Sequence, residues 1–445
     1  MTVPTTATDL TADYVGTGAL RDPLDLDRLP PQFRAAYGPQ LLSRPWFVRQ
    51  QRMADFAEDL GRLFDLLASL PDRLFDGDIA RYAAALGLDD RRTALLRLGS
   101  AGRPAKLGRA DAFDDGTSYR VLEFNLGSEL GAMDMATVNR AFLAGPEFAA
   151  FAERQGLTYV ETAARIARTL RAVAAPVTGG GEPVVALLEG TGGLTKYGDL
   201  CRSFAETMLS HGLDVRIGEV ADVRTSRGKI TLHGTPIDVI LRNFSANQIL
   251  RDDPRGEDLV APLIAAHTAG TTLMFTTFES GLYSNKAALA MLSAAHAHDS
   301  FSPADRALLD RVLPWTRMLG TGPAHTETLA YCREHRAELI IKPTVGFGGA
   351  DTVVGWEVDD DRWRSALTDC AGRGYIAQRR VTPVSEPVAD PATGLTAQWN
   401  AVLGVFITDE GYAGTHVRAV PHEHGAVIAL VGNPQARITG VFGQP

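Results

Sequence analysis

The sequence predicts an α/β chain, shading into α+β towards its C-terminal end, with a helical N-terminal region. Three observations point there. Strand-like and helix-like segments alternate through residues 184–275, the pattern of a parallel sheet with crossover helices. A strand, a glycine-rich loop and a second strand follow one another in LIIKPTVGFGGADTVVGW. The stretch FVRQQRMADFAEDLGRLFDLLASL carries Phe47, Met53, Phe56, Leu60, Leu63, Phe64 and Leu67 at three- and four-residue spacings, one apolar stripe of a helix.

In chain order, residues 1–30 are polar and contain prolines, and are expected to wrap the surface. Residues 46–98 read as helices, so 1–106 is expected to be a helical N-terminal region. Residues 107–175 open with two strand-like runs, LGRADAF and SYRVLEFN, around the turn cluster Asp114-Asp115-Gly116-Thr117, and continue as helix over 133–174. VTGGGEP is a flexible connector. Residues 176–283 form the expected Rossmann-like α/β domain. PVVALLE is a buried strand, GTGGLTKYG a glycine-rich loop and DLCRSFAETMLSHG a helix. DVRIGEV, KITLHG and IDVILRNF follow as strands, LVAPLIAAHTAG as helix and TTLMFTTF as strand. Residues 284–445 begin with the helix NKAALAMLS. The strands LIIKP, YIAQRRV, WNAVLGVFIT, GTHVRAV and AVIALV come after it.

The 445 residues allow about three domains at roughly 150 residues each. With 45% hydrophobic and 22% charged residues, the composition is that of an ordinary globular protein and excludes disorder as the main state. No apolar run approaches the roughly 18 residues a membrane helix needs. The N-terminus lacks the cationic-then-apolar pattern of a signal peptide. Cys201, Cys332 and Cys370 lie far apart with no CxxC pair, so a disulfide framework or zinc ribbon is not expected and a cytoplasmic location fits. The net charge of -9 argues against a general nucleic-acid or anionic-membrane binder. Only five lysines stand among 39 arginines. Each lysine therefore merits inspection, because a compact ammonium and a planar guanidinium serve different ends.

In SYRVLEFN, the period of two puts Val121, Glu123 and Asn125 on one strand face. A carboxylate and an amide two residues apart are hard oxygen ligands suited to magnesium. Arg109 and Asp111 are likewise two apart. A hairpin symmetric about Thr117 sets Asp111 opposite Glu123 and Arg109 opposite Asn125. The same patch also reads as a solvated face with cross-strand ion pairs. In LIIKPTVGFGGADTVVGW, Lys342 ends a strand, and Gly346, Gly348 and Gly349 would let backbone N–H groups approach a phosphate. No Walker A or Rossmann fingerprint is present, and the plainer reading is a hairpin with a glycine turn. Lys286 opens a helix, where the dipole opposes it and an anionic ligand would compensate. Lys196 lies in a strand-to-helix loop, either an anion site or a simple turn. Arg418 lies on a late strand with few other charges, suited to a carboxylate, a phosphate or a structural ion pair. His296-x-His298 and His422-x-His424 lack metal-site spacing and read as structural or solvent-facing. No GxSxG elbow exists to suggest a hydrolase triad.

As an ordered set these segments resemble the ATP-grasp superfamily, in the circularly permuted branch typified by glutathionylspermidine synthase. Arg109-x-Asp111, followed by Glu123-x-Asn125, is similar to that family's arginine and magnesium-ligand trio. Lys286 in SNKAALAMLS resembles its first nucleotide lysine. Lys342 in IIKPTVGFGGADTV resembles the second, with its glycine loop. YIAQRRV resembles the strand leading into the adenine hinge, with Gln378 at the Gln/Glu position and Arg379 and Val381 after it. Arg418 resembles the late arginine on the transferring phosphate. The metal ligands precede the lysines, the reverse of the common order. The resemblance spans about residues 107–445. The amidase domain of the bifunctional glutathionylspermidine enzymes has no counterpart here. The chain looks more like the stand-alone amino-acid and peptide ligases of bacterial specialised metabolism, some of which make γ-glutamyl amides.

That resemblance implies an ATP- and Mg²⁺-dependent enzyme joining a small-molecule carboxylate, amino acids foremost, to an amine, with no nucleic-acid or membrane partner. Asp111, Glu123 and Asn125 would hold Mg²⁺, Lys286 and Lys342 the phosphates, and Arg418 and Arg109 the transferring phosphoryl group. Backbone groups over 378–381 would hold adenine. Substrate is expected between this region and the α/β domain, on Thr191, Lys196 and Tyr197 of the 190–197 loop and on Arg242 at a strand end. Two rival classes are a phosphotransferase acting on a small carboxylate and a non-catalytic nucleotide-binding protein.

Overall fold

The computed structural model describes residues 8–445 apart from residues 21, 23, 101, 347 and 431. Among these residues the strands form four sheets. The largest runs in the order Trp46–Arg49, Arg437–Gln444, Gly411–Pro421, Thr396–Thr408, Gly108–Asp114, Tyr119–Leu126, with Glu386–Ala389 pairing on Thr396–Thr408. The hairpin of 108–126 thus joins strands that come almost three hundred residues later. The helix Gln50–Ala68 covers this sheet, burying Met53, Phe56, Leu60, Leu63, Phe64 and Leu67. These are six of the seven residues of the apolar stripe, which is there because one helix face meets a sheet; the seventh, Phe47, lies on the preceding strand.

The α/β unit is a four-stranded parallel sheet in the order Leu273–Phe275, Val239–Arg242, Val185–Glu189, Val215–Glu219. All five residues of its central strand Val185–Glu189 are buried, which explains the unbroken apolar run in the sequence. The helices Gly193–Ser210 and Gly256–Thr268 follow strands of this unit. A third, antiparallel sheet runs Thr316–Leu319, Tyr375–Arg379, Leu339–Pro343, Val353–Val354. It has its own core of Leu319, Cys332, Leu339, Ile341, Trp363, Leu367 and Ala377. The three cysteines are free and buried. Among the described residues no helix is long and apolar enough to cross a membrane.

Three segments differ from the sequence reading. Trp46–Arg49, read as the start of a helix, is a strand parallel to Arg437–Gln444. Trp46, Phe47 and Val48 are all buried, and a short run buried on both faces carries no period to tell strand from helix. AVIALV, read as a strand, is loop over the described 426–430. Arg437–Gln444, not read as a strand, is one. Its glycines argue against a strand by propensity, but Gly440 is required by packing. A Cβ there would stand 2.0 Å from Asn139 Oδ1.

Candidate active site

The hairpin register pairs Arg109 with Asn125 and Asp111 with Glu123, as symmetry about Thr117 suggests. Beyond Asp111 the register shifts, so that Ala112 faces Val121. This bulge corrects one expectation. Val121 does not share a face with Glu123 but is wholly buried in the core. Leu122 takes the cavity side with Glu123. An extra residue on one strand re-aims successive side chains in this way.

Asp111 is 3% exposed. Arg109 grips it twice, Nε to Oδ1 at 2.8 Å and Nη2 to Oδ2 at 3.1 Å. Arg418 adds Nη2 to Oδ2 at 2.6 Å. Burial alone would raise the Asp111 carboxyl, but the two guanidinium groups hold it well below the usual carboxylate range. Arg418 reaches it across an intervening strand, on which Asp111 faces Gly404 and Arg418 faces Val402. Gly404 keeps that crossing open. A Cβ there would stand 2.3 Å from the ring of His416, a buried neighbour on the Arg418 strand. Burial, with Arg109 and Arg418 nearby, pushes that imidazole well below its ordinary value and keeps it neutral.

Lys286 opens the helix Lys286–Ser293, whose first turn is capped by Asn285. Its Nζ lies 2.9 Å from Glu123 Oε2 and donates to the Gly346 carbonyl at 3.4 Å. Its backbone N–H donates to the Thr344 carbonyl, tying the helix start to the glycine loop. Lys342 donates to Gln378 Oε1 at 2.8 Å. Burial pulls its ammonium down to about 8, against the pull of Glu123. Gln378 is 1% exposed and donates from Nε2 to the Leu122 carbonyl and Thr316 Oγ1. Its side chain is thus committed to aiming Lys342.

These groups share one cavity of about 310 Å³. Asp111, Glu123, Lys286, Lys342, Gly346, Gly348, Gly349, Gln378, Arg379, Val381 and Arg418 all line it. Arg109 stands behind Asp111, and Asn125 lines an adjoining cleft of about 70 Å³ with Lys286 and Gly346. Gly348 and Gly349 have φ of 65° and 75°, left-handed conformations that glycine adopts without strain. Phe347, between Gly346 and Gly348, lies outside the described residues. Phe113, Leu122, Ile340, Val402 and Ile428 give the cavity an apolar wall.

Sequence reasoning missed several lining residues. Asn400 accepts from Ser385 Oγ at 2.7 Å. His422, read as structural or solvent-facing, lines the cavity within reach of Ser385 and Asn400. Glu357 accepts the Ala426 N–H and so ties the 422–430 loop to the small sheet's side of the cavity. An HxH pair was visible in the sequence, but nothing local showed that a long loop brings only its first histidine inward. His296 instead meets Asp310. Among the described residues no three of His, Cys, Asp and Glu gather as a metal site.

The four expected substrate residues do not converge. Thr191 donates to Asp253. Lys196 is exposed and lies 4.9 Å from the Tyr197 ring centroid. Tyr197 lines a separate cavity of about 240 Å³. Arg242, expected to hold a ligand carboxylate, is 1% exposed and already committed. It pairs with Glu129 at 2.7 Å, donates to the Thr276 and Phe244 carbonyls and stacks on Phe278. A strand-end arginine of the right type was visible in the sequence. Its burial is a tertiary property and was not.

No protein-family model matches the chain, and no curated protein matches it. Solved structures do. A glutathione synthetase-like effector from Globodera pallida, solved in its apo form, has a TM-score of 0.56 at 11% identity, over 98% of this chain and 96% of that one. A protein from Methylobacillus flagellatus KT, described provisionally as a gamma-glutamylcysteine synthetase, has a TM-score of 0.45 at 14% identity, over 81% and 86%. The second likeness is too loose to add to the first. The first covers nearly the whole of both chains and concerns the fold alone. The mixed α/β fold expected from the sequence is the one this chain shares with that glutathione synthetase-like protein.

Proposed function

We propose that this protein is an ATP-dependent carboxylate–amine ligase. It would join amino acids or small metabolites through a peptide or γ-glutamyl amide, by way of an acyl phosphate, releasing ADP and phosphate. The observation that carries this reading is the convergence of Arg109, Arg418, Lys286 and Lys342 around Asp111 and Glu123 at one end of a glycine-roofed cavity. Four cations around two carboxylates leave an excess of positive charge, which suits a polyphosphate. The apolar wall at Phe113, Leu122, Ile340 and Val402 suits a purine.

In this reading Lys286 and Lys342 neutralise the phosphates, and Gln378 aims Lys342. Arg418 turns towards the transferring phosphoryl group, steadied by the Asp111 carboxylate it shares with Arg109. Catalysis is positioning and charge stabilisation, so it needs no side-chain nucleophile. The 346–349 loop, with the 422–430 loop packed against it, excludes water, which would hydrolyse an acyl phosphate. Asp111, Glu123 and Asn125 fit a hard divalent cation by donor type, two carboxylates and an amide oxygen. Held there, Mg²⁺ would supply charge stabilisation in the transfer. The hairpin's pairing with late strands supports the permuted order.

The test is ADP and phosphate release with ATP and Mg²⁺ across a matrix of amino-acid pairs, glutamate included, alongside Glu123→Ala and Lys342→Ala. Amine-dependent release with a matching new amide mass, lost in both variants, is expected. ADP release without an amide would favour a phosphotransferase.

A further inference from the structure

The cavity of about 240 Å³ beside the α/β unit differs in character from the nucleotide cavity. Glu129, Asp134 and Glu189 line it, and among the described lining residues there is no Lys, Arg or His. Two of the three carboxylates are spent. Glu129 pairs with Arg242 at 2.7 Å. Asp134 accepts from Tyr37 Oη and Ser203 Oγ. Glu189 is not. It is 1% exposed, its Oε1 accepts from Asn243 Nδ2 at 2.5 Å and Cys201 Sγ at 3.6 Å, and its Oε2 has no hydrogen-bond partner. A buried carboxylate oxygen without a donor is costly unless a ligand supplies one. The rest of the wall is apolar, with Met133, Leu187 and Phe204.

This cavity and the nucleotide site lie on either side of a small cleft. The small cleft between them shares Glu129 and Leu130 with the one and Lys286 and Gly346 with the other. The walls divide by charge, cationic where phosphates would sit and acidic at the far end.

We propose that the acidic cavity receives a protonated amine carried on an apolar arm, with its ammonium on Glu189 and its arm against Met133, Leu187 and Phe204. Its place in a reaction rests on the ligase reading; the binding itself does not. Burial raises the Glu189 carboxyl, with Asn243 opposing, and an arriving cation draws it back to the carboxylate. The ammonium belongs either to the acid being activated or to the acceptor amine.

The test is calorimetry on the full chain without ATP, at neutral pH, using hexan-1-amine, hexan-1-ol and hexanoate as probes. The amine is expected to bind more tightly than either of the others. Glu189→Gln is expected to weaken the amine about tenfold, as loss of a charged hydrogen bond does, and to leave the alcohol unchanged. Leu200→Trp, which fills the cavity from its wall, is expected to weaken both, and it decides the matter should Glu189→Gln not fold. Preference for hexanoate, equal binding of all three or an amine that does not bind overturns the proposal. In turnover, a raised KM for the acceptor alone or for the acid alone in Glu189→Gln identifies the source of the ammonium, and unchanged KM for both counts against the site. A silent ATP titration would remove the ligase reading and leave the amine result standing.

Discussion

Asp111 carries two guanidinium groups in a wall that excludes water, and the consequences are measurable. Removing its charge strands Arg109 and Arg418 against each other. Asp111→Asn is expected to cost about 3–5 kcal/mol of stability at neutral pH, read by urea denaturation. The dependence on pH has a definite sign. A carboxyl whose folded pKa is depressed contributes stability that is full above its unfolded value, roughly 4, and lost as pH falls towards the folded one. The gap between wild type and Asp111→Asn should therefore narrow on acidification. Lys342 behaves oppositely. Its ammonium titrates near 8 in the free protein, and a bound polyphosphate favours the charged form. ATP binding at about pH 8 should take up a proton, seen as a binding enthalpy that varies with buffer, and ATP affinity should fall as pH rises through that range. Lys342→Arg, charged throughout, should bind without proton uptake. Both residues were legible in the sequence, Asp111 through the period of two and Lys342 through its glycine loop. Arg242 was legible as a residue, but its pairing was not, because its partner Glu129 and the Thr276 carbonyl reach it only in the fold.

The elements that close the cavity are two loops in contact. A Cβ on Gly349 would stand 2.3 Å from Val427 Cγ1, and its φ of 75° suits glycine. Gly349→Ala is expected to separate the loops. If an acyl phosphate forms, the share of ADP released without amide should rise, while the unfolding midpoint moves little because both loops lie at the surface. The glycine loop was visible in the sequence. Its partner was read as the strand AVIALV, since a short apolar run looks alike as a strand and as a loop folded over a cavity. The strand Arg437–Gln444 went unread for the opposite reason. Its Gly440 makes room for Asn139, and its Gly443 packs against Gln50.

At the scale of the molecule, one sheet gathers strands from both ends of the chain. Arg437–Gln444 lies between Trp46–Arg49 and Gly411–Pro421, and Arg418 stands on the latter. Deleting the chain after Gln435 would leave the buried strand Trp46–Arg49 without its strand partner and turn Gly411–Pro421 into an edge strand. It is expected to abolish cooperative unfolding rather than trim a tail, as circular dichroism melting would show. Alternation of strand and helix made the α/β unit readable, because its contacts are local in sequence. The large sheet was not readable as a whole, because the two pairings that join its parts, Trp46–Arg49 with Arg437–Gln444 and Gly108–Asp114 with Thr396–Thr408, span hundreds of residues and no local pattern records them. The central claim is that this sheet, the glycine loop and the small antiparallel sheet together build a nucleotide site. Calorimetric titration of ATP with Mg²⁺ into the full chain, beside Lys286→Ala and Lys342→Ala, tests it without knowledge of the other substrates. One site per chain, weakened about tenfold or more in each variant, is the expected result. No binding in the wild type, or binding indifferent to both lysines, would contradict the account.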